Sequence, residues 1–75
     1  FNPVTSIKYE ISDFSYIEIE VYDLTGRMIS ELYTGYRDPG YYEIQWNAKQ
    51  TASGVYLIHM TTDEKIFSQK VIVLK

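Results

Sequence analysis

Apolar and polar residues alternate with a period of two along most of the chain, the spacing that sends successive side chains to opposite faces of a strand. Ile7, Tyr9 and Ile11 interleave with Lys8 and Glu10, and Ile17, Ile19 and Val21 interleave with Glu18 and Glu20. These runs predict strands near 5–11 and 16–22, joined by the turn Ser12-Asp13-Phe14-Ser15, each with one face toward a core and one toward water. No window shows the i, i+3, i+4, i+7 spacing of an amphipathic helix, so none is expected.

Asp23-Leu24-Thr25-Gly26 offers a glycine where a hairpin turn needs positive φ, and Arg27 leads into a third strand over 28–33. Residues 35–40 carry Gly35, Pro39 and Gly40 and predict a connection, because such breakers weaken a strand interior. Tyr42, Ile44 and Trp46 resume the alternation in a fourth strand, with Trp46 expected in the core. A polar loop over 47–54 precedes a fifth strand over 55–61, a turn over 62–65 and a last strand over 66–74. Turn residues at this spacing predict an all-β, antiparallel sandwich or small barrel wired as a Greek key. The final strand loses its polar positions at Val71-Ile72-Val73-Leu74, so it should be covered on both faces or paired along one edge.

Seventy-five residues suffice for one small domain, since a chain this short buries only about 60% of its unfolded surface. Without cysteine, neither a disulfide framework nor a thiolate metal site supplements the core. The longest apolar run falls far short of the roughly 18 residues of a membrane helix, so no membrane insertion is expected. The chain starts at Phe1 without a leader-like segment, which suggests a domain excised from a longer protein. The net charge of −3 is unevenly spread. Residues 1–64 hold four basic and ten acidic side chains, whereas 65–75 hold Lys65, Lys70 and Lys75 and no acid. An acidic body repels phosphates and argues against nucleic acid.

Candidate chemistry is sparse, and no catalytic, metal or cofactor site is predicted. Glu18 and Glu20 share a strand face about 7 Å apart, between the carboxylate spacings of retaining and inverting glycosidases, and read as a solvated pair. His59 is the only histidine and, sharing a face with Val55 and Leu57, reads as partly buried and hydrogen-bonded. Asp13, Asp23 and Asp63 are expected to cap backbone amides in turns. The eight tyrosines are the one feature suited to a ligand, a sugar, with Tyr16, Tyr22 and Tyr41 on polar faces. The simpler reading is that tyrosine fits a half-buried pleated surface.

Phe1-Asn2-Pro3-Val4-Thr5-Ser6-Ile7-Lys8-Tyr9 resembles the opening of type A sorting domains of type IX secretion, found in Bacteroidetes and related phyla. Val21-Tyr22-Asp23-Leu24-Thr25-Gly26-Arg27 resembles their hairpin. The stretch from Gly40 to Trp46 and Ser53-Gly54-Val55-Tyr56 resemble their middle motifs, and Lys70-Val71-Ile72-Val73-Leu74-Lys75 resembles their ending. The family usually carries Tyr-Pro-Asn-Pro before this opening, so a first edge strand would be missing here. The resemblance implies an immunoglobulin-like sandwich of about six to seven short strands, covering 1–75 as one C-terminal sorting domain behind an N-terminal cargo. Its implied partners are the outer-membrane type IX translocon and a sortase-like peptidase. The cargo would cross the periplasm and end on the cell surface or outside. Residues 70–75 are the candidate signal, while the isolated domain should be monomeric or self-associate weakly along strand edges. The alternatives from residues alone are a carbohydrate-binding module and a structural spacer of a secreted enzyme.

Overall fold

The computed structural model describes residues 4–75; the motif residues Asn2 and Pro3 lie outside them. Six antiparallel strands follow in order: β1 (Val4–Ile11), β2 (Ser15–Asp23), β3 (Met28–Arg37), β4 (Gly40–Asn47), β5 (Gly54–Thr61) and β6 (Ile66–Val73). They form two sheets, β1-β4 and β3-β2-β5-β6. Only β2-β3 and β5-β6 are hairpin neighbours, and the chain crosses between sheets after β1, β3 and β4. This is Greek-key wiring of an immunoglobulin-like sandwich and not a meander.

The alternation does what the pattern predicts. Ile17, Ile19 and Val21 of β2 are buried, as are Tyr56 and Ile58 of β5 and Val73 of β6. From the opposite sheet Ile11 and Trp46 close onto them, and Trp46 is only 2% exposed. Its ring meets Tyr56 edge-on with centroids 5.7 Å apart. Ala48, just past β4, is also fully buried, so the loop expected to be polar throughout drops one apolar residue into the core.

β3 departs from expectation. It runs on through Gly35, Tyr36 and Arg37 and leaves only Asp38 and Pro39 between strands. Gly35 is tolerated because the Tyr33 ring lies over the space a side chain would fill, its hydroxyl 3.1 Å from an ideal Cβ, and so supplies the packing that glycine lacks. The Tyr33 hydroxyl then donates to the Tyr36 carbonyl oxygen at 3.2 Å. The same device recurs at two strand starts. Tyr42 arches over Gly40 and donates to the Asp38 carbonyl at 2.6 Å, and Tyr56 arches over Gly54 and donates to the Ala52 carbonyl at 2.7 Å. Both act as tyrosine corners, pinning the chain where it changes sheets.

Arg37 clasps the sandwich on the β3/β4 side. Its guanidinium lies 4.2 Å from the Tyr33 ring centre and 4.6 Å from that of Tyr42, and Tyr42 stacks on Tyr9 at 5.5 Å. Burial opposes the charge, but a hydrogen bond with Tyr9 and the neighbouring Tyr33 and Tyr42 outweigh it, so the pKa of Arg37 is raised. Among the described residues the opposite side has no such clasp. There a groove of about 550 Å³ opens between Ile7, Tyr9 and Ile11 of β1 and Phe67 and Gln69 of β6, with Ile58 and Met60 on its floor.

Candidate functional site: the terminal strand and its hairpin

β6 forms the last position of the four-stranded sheet and, among the described strands, pairs only with β5, Gly54 opposite Val73 and Leu57 opposite Lys70. Of the two readings of its apolar run, pairing along one edge is the one observed. Val73 is buried and Val71 packs against the core, whereas Ile72 and Leu74 are exposed. The run is therefore two-sided: Val71 and Val73 anchor the strand, and Lys70, Ile72 and Leu74 face outward. The two candidate lysines differ in setting. The backbone N–H of Lys75 donates to Ser53 Oγ at 3.2 Å and its Nζ to the Lys49 carbonyl at 2.6 Å, tying the chain end to the loop before β5. Lys70 stands exposed on the outer face of β6.

The same outer face carries Tyr22. Register places Tyr22 opposite Leu57 on β5, and Leu57 opposite Lys70 on β6, so the three form one rung across β2, β5 and β6. The Tyr22 hydroxyl donates to Glu20 Oε1 at 2.9 Å. That hydrogen bond, then desolvation and the charges of Glu20 and Glu18, raise the tyrosine pKa. His59 is half-buried, as expected, but its neighbour is the edge of the Tyr22 ring at 5.8 Å. It sits on this outer face because Tyr56 and Ile58 take the core side.

The β2–β3 turn forms as the sequence indicates. Gly26 has φ +90°, and its N–H donates to the Asp23 carbonyl at 3.1 Å while the Asp23 N–H donates to the Arg27 carbonyl at 3.0 Å, the geometry of a turn followed by a left-handed bulge residue. Asp23 Oδ1 accepts from the Thr25 hydroxyl at 2.6 Å and from the amides of Thr25 and Arg27 at 2.9 and 3.1 Å. Arg27 Nε lies 3.4 Å from Asp23 Oδ2. These bonds, the Thr25 hydroxyl foremost, hold the Asp23 carboxyl below its ordinary pKa, partly offset by desolvation. In the 62–65 turn the cap is Thr62 and not Asp63: Thr62 Oγ1 accepts from the amides of Glu64 and Lys65 at 3.3 and 3.1 Å. A threonine hydroxyl one residue earlier reaches those amides directly.

The motif residues thus divide by role. Asp23, Gly26 and Arg27 build one turn; Gly40, Gly54 and Tyr56 build the tyrosine corners; Trp46 fills the core. Val55 lies opposite Ile72 and supports the terminal strand, while Tyr22 joins its outer face. Sequence reasoning missed the Arg37 clasp and a cluster of Phe14, Tyr16 and Tyr36 at the far end of β2. The signal was the tyrosine at 36, hidden inside a stretch that glycine and proline marked as a loop.

Two sheets joined by a pair of tyrosine corners define a small antiparallel β-sandwich module. The family model described as "Secretion system C-terminal sorting domain" matches residues 2–74. The chain belongs to that family, the C-terminal sorting signals of type IX secretion, which direct export out of the cell and are not known as catalysts. No curated protein and no solved structure matches it.

Proposed function

We propose that the outward-facing side chains of β6 are the part of this sorting domain that the type IX translocon reads, and that a sortase-like peptidase then removes the domain so that the cargo is anchored at the surface or released. The observation that carries the reading is the two-sided terminal strand. Val71 and Val73 fix it in the core, while the side chains of Lys70, Ile72 and Leu74 point outward on a strand that, among the described strands, ends its sheet. A strand anchored from beneath offers a partner a fixed pattern of alternate outward side chains to read. The bound Lys75 keeps the chain end in register with the loop before β5.

The test is a fusion of residues 1–75 to the C-terminus of a periplasmic reporter in a type IX competent host. The reporter should reach the surface or medium, and mass spectrometry of the exported product should show it shortened near the junction. A reporter exported with the domain still attached would reject the processing step while leaving the sorting step standing.

A further inference from the structure

The outer face of the four-stranded sheet carries a second surface, separate from the terminal strand. Phe14, Tyr16 and Tyr36 gather where β2 begins and β3 ends, 60%, 37% and 63% exposed. Phe14 and Tyr36 lie nearly parallel, 13° apart with centroids at 5.3 Å, and Tyr16 meets Tyr36 edge-on at 5.1 Å. Rings that large usually hide in a core or an interface, so three in mutual contact at the surface form an apolar platform. One step along the strands, about 7 Å further on the same face, Glu18 stands opposite Thr34 on one side and Thr61 on the other. Glu20 follows, opposite His59. Among the described residues no basic side chain forms an ion pair with Glu18 or Glu20, the one ion pair being Arg27 with Asp23. Thr34 turns its hydroxyl toward Glu31 at 2.7 Å, which leaves Glu18, half-buried on this face, with acceptor capacity to spare.

We propose that this face, Phe14, Tyr16 and Tyr36 with Glu18 beside them, binds a neutral polysaccharide. A pyranose ring presents an apolar C–H face that packs on an aromatic ring and equatorial hydroxyls that donate to carboxylates at its rim. The platform supplies the first contact and Glu18 the second. The acidic row of Glu18, Glu20 and Glu31 selects against uronic or sulfated sugars by like-charge repulsion. It equally disfavours an acidic peptide. The surface goes beyond sorting: it would let the domain, while still attached to its cargo, hold a glycan as the terminal strand serves the translocon.

Affinity electrophoresis of the 75-residue chain in gels containing laminarin, mannan, xyloglucan or dextran sulfate tests this directly. At least one neutral glycan should retard the chain and dextran sulfate should not. Tyr36→Ala and Phe14→Ala should each abolish the retardation. Tyr41→Ala, which removes an 84% exposed ring elsewhere, should leave it intact, and circular dichroism of all three variants should match the parent. Binding should perturb tyrosine emission but not Trp46, which is buried on the other side of the sheet. Retardation by none of the neutral glycans, retardation that survives Tyr36→Ala, or preferential binding of dextran sulfate would each overturn the proposal.

Discussion

At the residue scale, small groups of side chains hold the backbone in conformations it would not keep alone. Trp46 is buried against Tyr56, so Trp46→Ala should cost roughly 3–5 kcal/mol. A domain this small has little more than that to lose. Thermal melting should show a chain largely unfolded at 37 °C, whereas a variant melting within a few degrees of the parent would place the ring's contribution elsewhere. Gly26 at φ +90° has open space around it, so the penalty of Gly26→Val is backbone strain and not a clash. It should exceed about 1 kcal/mol in a denaturant titration. Asp23 gives a pH dependence with a definite sign. Its folded-state pKa is depressed, so its contribution to stability is present above the ordinary carboxylate value and is lost as pH falls below about 4 through the folded value. Asp23→Asn should flatten the parent's acid-side loss of stability, and a variant with the parent's pH profile would show that the turn bonds do not depend on the charge.

At the element scale, β-strands were legible wherever period two was unbroken, as at Ile17, Ile19 and Val21. They were least legible at 35–37, where Gly35 signalled a break. What rescues that stretch is a ring from the same strand, Tyr33, lying over the glycine, and local alternation cannot reveal it. The Asp23 cap was readable because its partners follow within four residues. The Asp63 expectation failed because Thr62 competes for the same amides. The tyrosine corners belong to this scale too. Tyr56→Phe removes a 2.7 Å hydrogen bond to the Ala52 carbonyl without changing the packed ring. It should cost about 1 kcal/mol and, by loosening the entry to β5, speed amide exchange at Gly54 and Val55 more than in β2. Uniform exchange changes would show that the corner does not act locally.

At the scale of the whole molecule, the two sheets are joined unequally. Arg37, between Tyr33 and Tyr42, clasps one side, and the groove between β1 and β6 leaves the other side open. That pairing of distant strands, β1 with β4 and β2 with β5, has no local signature, which is why alternation predicted a sandwich but not its sheet order. The resemblance of the motifs reached further than alternation, because Asp23, Gly26, Gly40, Gly54 and Tyr56 fall at a turn or corner where the chain changes direction. β6 borders that groove and, among the described strands, ends its sheet, with the side chains of Lys70, Ile72 and Leu74 turned outward. Lys70 contributes little to stability, since exposed charges are worth about 0–1 kcal/mol, and Leu74 stands mostly exposed, yet both are central to the sorting account. The most direct measurement is the export rate of a reporter fused to the chain carrying Lys70→Glu and Leu74→Glu together, with circular dichroism and melting matched to the parent. The account predicts that the folded double variant stays in the periplasm; export at the parental rate would contradict it.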